Sequence, residues 1–129
     1  MALAHVHLRV ESDEDHVFNV PGVHQFKMKN QGSIIDLLVA AQNQNHEYNF
    51  SSRHIPKFGE VVTSLCGLFN DNEANKGWFF YTPPNSIVEM ALSKVELTSG
   101  MEVVARYEEF SREEQKTQIH KTEVPKKKK

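Results

Sequence analysis

Cysteine is almost absent from this sequence of 129 residues. Cys66 is the only one, which excludes a disulfide within the chain and a cysteine-rich zinc module or iron–sulfur cluster held by one copy. No apolar run approaches the ~18 residues that a membrane-spanning helix needs. The N-terminal residues lack a charged leader followed by an apolar stretch, so no signal peptide is predicted. These absences favour a cytoplasmic protein.

Glycine and proline are also scarce, and the remaining composition is that of an ordinary soluble domain. Apolar residues make up 39% and charged residues 25% of the chain, enough for one globular domain without metal or disulfide support. The net charge of −2 is unevenly spread. Residues 1–110 are acidic and form the predicted domain. Residues 111–129 are predicted to be a disordered, lysine-rich tail. An acidic domain argues against a nucleic-acid partner.

Hydrophobic periodicity predicts one helix among several strands. Ser33 and Asp36 form a capping pair ahead of an apolar i, i+3, i+4, i+7 pattern, which predicts a helix over Ser33–Gln44. Alternation around Val6–Val10 and Met101–Tyr107 predicts half-buried strands. The order of two strands, a helix and further strands predicts an α+β domain. Its sheet is expected to be mostly antiparallel, with one helix packed on one face.

No constellation of residues points to catalysis, so we expect a protein that is not an enzyme. Cys66 lies in an apolar setting without a nearby base and reads as a buried structural thiol. His5 and His7 share a strand face but lack a third metal ligand, so we predict no metal site there. His54, on a predicted loop, could ligate the metal of a cofactor, although a hydrogen-bonded surface histidine is the better interpretation.

The aromatic segment Gly77–Thr82 is the most informative feature. Trp78 and Phe80 share one face of the predicted strand, and Phe79 and Tyr81 share the other. Two explanations stay open: a central strand packed on both faces, or a strand with one face that lines a ligand surface. Tryptophan and tyrosine suit the second role because each joins a large rigid ring to a polar group.

Five segments, in order, resemble the C-terminal β-domain of the cobalamin carriers, the family of transcobalamin, intrinsic factor and haptocorrin. The resemblance covers roughly residues 5–110 and rests on the order and spacing of the segments rather than on one motif. The matching segments are Ser33–Gln42, Tyr48–Phe50, Phe58–Leu68, Gly77–Tyr81 and Leu97–Tyr107.

This resemblance implies a β-grasp-like, non-enzymatic binding module that covers one face of a corrinoid, with cobalamin as its ligand. Trp78, Phe80 and Tyr81 match positions of the aromatic wall, and Ser64 matches a polar contact. The family pairs this domain with a helical partner domain and is secreted, which the sequon Asn49–Ser51 would suit. The alternative is a protein-interaction module of the same fold that does not bind cobalamin.

Overall fold

One helix and seven strands account for most of the described residues. The computed structural model describes residues 3–12, 18–83, 87–88 and 90–109. The predicted tail, 111–129, lies outside the described residues. The elements are β1 (Leu3–Ser12), β2 (Val23–Lys29), α1 (Ile34–Gln44), β3 (Phe50–Ile55), β4 (Gly59–Leu65), β5 (Leu68–Phe69), β6 (Lys76–Tyr81) and β7 (Glu102–Glu109).

The strands divide between two sheets, where the sequence predicted one. The first sheet has the order β2-β1-β7-β6, and the second has the order β3-β4-β5. Pairing between β1 and β7 is parallel, and every other strand pair is antiparallel. The predicted α+β class with mostly antiparallel strands is therefore confirmed. The β-grasp likeness remains a prediction.

Helix α1 begins where its capping pair predicts. The Ser33 hydroxyl accepts from the Asp36 N–H, and the Asp36 carboxylate accepts from the Ser33 N–H, which completes a capping box. The helix then buries its predicted apolar face, formed by Ile34, Leu37, Leu38 and Ala41. None of the helices within the described ranges combines the length and apolar character needed to cross a membrane.

The main core lies between this helix and the inner face of the first sheet. Strand β1 contributes Val6, Leu8 and Val10, which alternate with polar residues as predicted. Strand β2 contributes Phe26, whose ring meets Tyr48 edge-on at a centroid distance of 5.1 Å. Val62 and Leu65 of β4 join the same cluster, so the second sheet shares this core rather than building a separate one.

Candidate functional site

A cleft lies between β4 and β6, at the junction of the two sheets. Its volume is about 70 Å³, enough for about five water-sized groups. Aromatic and aliphatic side chains dominate its lining, and the polar members are two asparagines and one glutamate. The lining residues are Phe58, Glu60, Val61, Val62, Asn70, Asn72, Gly77, Trp78, Phe79, Phe80, Val88, Met90 and Leu92.

The outer edge of β6 faces this cleft. Backbone groups of Lys76 exchange two hydrogen bonds with Asp71, at 2.8 and 2.9 Å. The N–H of Trp78 donates to the Asn70 side chain at 3.0 Å, and the carbonyl of Phe80 accepts from the Val88 N–H at 2.8 Å. Because N–H and carbonyl groups of alternate residues point to the same side of a strand, these three residues of β6 turn their backbones away from β7.

Asn70 joins the two walls of the cleft. Its carbonyl oxygen accepts from the N–H of Trp78 in β6, and its Nδ2 donates to the carbonyl of Val62 in β4 at 3.1 Å. Each half of the amide therefore holds a different sheet, and its length sets the spacing between them. In the sequence, Asn70 stands in a segment rich in asparagine and aspartate, where nothing separates it from its neighbours.

Trp78 is a buried structural residue as well as part of the cleft. Its side chain is 5% exposed and its ring lies 5.8 Å from Phe18 and 5.4 Å from Tyr107, centroid to centroid. The indole N–H donates to the carbonyl of Leu68 at 2.8 Å. The Tyr107 hydroxyl donates in the same way to the carbonyl of Phe69. The indole polar group is thus committed to holding β5 and is not free for a ligand.

The structure brings together two of the four predicted site residues. Trp78 and Phe80 both line the cleft, and Phe80 is only 3% exposed. Tyr81 points to the opposite face, where its hydroxyl donates to the Glu108 carboxylate. Ser64 is buried, and its hydroxyl shares a 2.7 Å hydrogen bond with that of Ser51. Neither Tyr81 nor Ser64 is among the residues that line the cleft.

Strand β6 is an edge strand, so the predicted central position is wrong, although the predicted packing on both faces is confirmed. Its four middle residues are nevertheless buried. The cover comes from β4, β5 and the residues that follow β6. Periodicity could not reveal this, because an edge strand under a second sheet has the same apolar pattern as a central one.

Glu60 is the one charged residue among those described as lining the cleft. Its carboxylate is engaged at both oxygens, by the Ser52 hydroxyl at 3.3 Å and by Nδ1 of His54 at 3.0 Å. His54 therefore belongs to a cross-strand pair between β3 and β4, as the surface interpretation of this residue predicted. The rest of the lining is uncharged, which suits a neutral ligand with apolar and hydrogen-bonding parts.

The described residues that could ligate a metal or act as a nucleophile do not form a second site. Among the described residues, no three His, Cys, Asp or Glu side chains form a group that could hold a metal ion. Burial raises the pKa of the Cys66 thiol to about 12. The thiol is therefore protonated at neutral pH and a poor nucleophile, in keeping with its interpretation as a structural residue.

Comparison with known proteins gives similarity of fold. The chain matches no protein-family model and no curated protein sequence. Among solved structures, haptocorrin in complex with Cbi superposes on 85% of this chain with a TM-score of 0.70 and 14% sequence identity. A Ruminococcus gnavus protein, described as metal-binding, superposes on 84% with a TM-score of 0.58 and 10% identity.

The two matches differ in how much of the other protein they cover. The chain spans 26% of haptocorrin but 99% of the Ruminococcus gnavus protein. Identities of 14% and 10% support a shared fold and nothing finer. The resemblance found in the sequence is thus confirmed only as a similarity of fold to part of haptocorrin.

Proposed function

We propose that this chain is a non-enzymatic binding module that covers part of one face of a corrinoid. The observation that carries the proposal is an aromatic-lined cleft, with Glu60 as its one charged residue among those described, on a domain whose fold is similar to part of haptocorrin, a protein solved with the corrinoid Cbi. In this proposal the corrinoid is a bound ligand and not a catalytic cofactor.

The chemistry of the cleft suits this ligand class. A corrinoid is a large curved disc with a methyl-rich edge and a fringe of amide arms. A cleft of about 70 Å³ accepts one such arm and leaves the ring outside it. Met90, at 55% exposure, is the lining residue best placed to meet the ring edge. Apolar contact with a few hydrogen bonds is the usual composition of small-molecule sites.

One domain covers little of so large a ligand. Because the chain spans 26% of haptocorrin, we propose that a helical partner domain or another protein contacts the opposite face. Binding of a corrinoid by the isolated chain is then weaker than binding between two domains, because less apolar surface of the ligand is buried. Trp78 and Phe80 form the inner wall in this proposal. Ser64 and Tyr81 remain candidate contacts that act outside the cleft.

Fluorescence titration tests the proposal, because Trp78 is the only tryptophan in the chain. Aquocobalamin and dicyanocobinamide are added separately, and absorption by the corrinoid is corrected with N-acetyltryptophanamide. We expect saturable quenching with both. The visible bands of aquocobalamin show in the same titration whether a protein group such as His54 replaces the water on cobalt. Absence of saturable quenching up to high micromolar corrinoid would remove corrinoid binding by this chain.

A matched pair of variants separates a cleft effect from a surface effect. Met90→Glu puts a charge at the cleft, and Val39→Glu puts the same charge on the exposed face of α1, where Val39 is 40% exposed. A charge that must be desolvated against an apolar ligand is costly, so Met90→Glu should weaken binding about tenfold or more. Val39→Glu should leave the affinity unchanged. Equal affinities in the two variants would place the ligand elsewhere.

Exposed apolar residues support a second candidate, a protein-interaction module. Phe69 is 64% exposed and precedes Asn70 of the cleft, and Met90 is also exposed. Contiguous exposed apolar side chains are typical of protein interfaces, and this candidate requires that Phe69 and Met90 belong to one such patch. Phe69→Ser separates the two candidates: it should leave corrinoid quenching intact, whereas it should weaken self-association or partner binding if this surface docks a protein.

A further inference from the structure

Two backbone groups on the β6 edge stand apart from the hydrogen bonds that close it. Within the ranges the structure describes, neither the carbonyl of Trp78 nor the N–H of Phe80 has a hydrogen-bond partner. Both groups point away from β7, on the side where Asn70 and Val88 bond the same two residues. Both residues also line the cleft. The acceptor and the donor therefore face whatever enters it.

The Trp78 carbonyl and the Phe80 N–H form an open stretch of the β6 edge, and a hydrogen bond bounds it on each side. On one side the Asn70 side chain occupies the N–H of Trp78, and on the other the N–H of Val88 occupies the carbonyl of Phe80. One acceptor and one donor are left between them. An added β-strand needs a longer row of backbone groups than this, so the edge suits a single small group rather than a peptide strand.

A primary carboxamide has the matching pair of groups. It carries N–H donors and a carbonyl acceptor on one small planar unit. With its attached carbon it has four non-hydrogen atoms, which fit a cleft of about 70 Å³. A carboxylate offers no donor to the Trp78 carbonyl and would approach Glu60, whose charge repels it. An ammonium group offers no acceptor to the Phe80 N–H.

We propose that the β6 edge is a two-point receptor for one primary carboxamide. The carboxamide N–H donates to the Trp78 carbonyl, and its carbonyl accepts from the Phe80 N–H. Two sources carry this group: an amide arm of a corrinoid, in which case the inference rests on the proposed function, and an asparagine or glutamine side chain of a partner protein. Asn70 acts as a positioning residue, since it fixes where the open stretch begins.

Amide-proton NMR on the ¹⁵N-labelled chain tests the receptor with small probes. Propionamide is titrated against N,N-dimethylpropionamide and propionate. We expect propionamide to shift the Phe80 amide proton downfield in a saturable way. The dimethyl amide lacks the donor, so its affinity should be lower by about tenfold. The N–H of Phe79, which faces β7, is the internal control. An unmoved Phe80 N–H, or an equal response to the dimethyl amide, overturns the receptor.

The two sources are then distinguished with the same resonance. If propionamide and aquocobalamin both move the Phe80 N–H, the receptor is supported and the source is a corrinoid arm. If propionamide moves it and no corrinoid binds, the receptor stands and the proposed function falls. N-acetylglutamine methylamide, with its glutamate analogue as control, should then move it instead. If a corrinoid quenches Trp78 and neither the corrinoid nor propionamide moves the Phe80 N–H, the receptor is overturned and the proposed function survives.

Discussion

The two edge strands of the first sheet differ in how far they are buried. Strand β2 forms one edge, and Phe26 and Met28 are its only buried residues. Strand β6 forms the other, and all four of its middle residues are buried. At the exposed edge, solvent reaches the strand, and one carbonyl, that of Lys27, accepts from Nε2 of Gln44. At the covered edge, groups of the protein must satisfy the backbone, and the Asn70 side chain does so for the N–H of Trp78.

This difference teaches where to look for binding. An edge bordered by exposed lysines, such as Lys27 and Lys29 of β2, is protected against pairing with other chains and has nothing to recognise. A covered edge with one acceptor and one donor left over has a defined shape and a defined hydrogen-bonding pattern. The β6 edge is therefore the specific surface of this sheet, and the following predictions separate the two edges.

The largest loss of stability is expected in the core, and it should be the same for β2 and β6, because the inner faces of both strands contribute to one core. Phe80→Ala and Phe26→Ala each remove a buried ring from that cluster, and each should lower the free energy of unfolding by about 3–5 kcal/mol. Urea unfolding followed by circular dichroism measures both. A loss below about 1 kcal/mol at Phe80 alone would mean that its ring belongs to a loose cleft wall and not to the core.

Asn70→Ser removes hydrogen bonds from the covered edge, β6. It removes the partners of the Trp78 N–H and the Val62 carbonyl, and leaving such groups unpaired should cost about 2 kcal/mol. Asn72→Ser is the matched control: like Asn70, Asn72 lines the cleft and is exposed, but it contributes its backbone carbonyl to a turn. It should change the free energy of unfolding by less than about 0.5 kcal/mol. Equal losses would mean that the hydrogen bonds of the Asn70 side chain do not stabilise the β6 edge.

Local features of the fold were predictable from the sequence, and long-range pairing was not. The Ser33–Asp36 capping box acts over three residues, and the alternation of Val6, Leu8 and Val10 needs no partner to be read. The parallel pairing of β1 with β7 joins residues such as His7 and Glu102. Local patterns do not fix which strand is adjacent, so the division into two sheets was missed.

The candidate site was predictable to the same extent. Alternation along β6 correctly grouped Trp78 with Phe80 and set Tyr81 on the other face. The opposite wall comes from β4 and from residues after β6, whose nearness to Trp78 depends on tertiary packing. Asn70 was missed because its role is to replace a strand partner, and an asparagine in a loop gives no sign of which backbone group it will bind.

Alkaline pH should lower the free energy of unfolding through the thiol of Cys66. This residue lies in the turn between β4 and β5. Burial raises the pKa of this thiol in the folded state from 9.0 to about 12. Between these values the unfolded chain loses a proton that the folded chain keeps, so stability falls as pH rises. From pH 8 to pH 10 the loss should be about 1 kcal/mol, allowing for solvent screening of a half-buried group.

Cys66→Ser supplies the control, because its hydroxyl does not titrate in this range. The variant should lose less stability than the parent chain between pH 8 and pH 10, in urea unfolding at each pH. Burial, and to a smaller extent Cys66, raises the pKa of Tyr48 from 10.0 to about 12. Because Tyr48 begins to contribute only near pH 10, the comparison rests on the part of the range below that value. Identical pH dependence in the two proteins would contradict the assignment to Cys66.

The smallest effect on stability is expected at the exposed edge. Lys27→Val removes a charge from β2 at a side chain that faces solvent, so the free energy of unfolding should change by less than about 0.5 kcal/mol. Self-association is the sensitive readout, because an uncharged, β-branched edge can pair with a second copy. Sedimentation velocity should reveal concentration-dependent dimers of Lys27→Val.

Lys94→Val removes the same charge away from any sheet edge and should stay as monomeric as the parent chain. If Lys27→Val also remains unchanged, charge is not what keeps β2 unpaired. The carbonyl of Lys27, which accepts from Nε2 of Gln44 at 3.3 Å, would then be the next element to break, through Gln44→Ala.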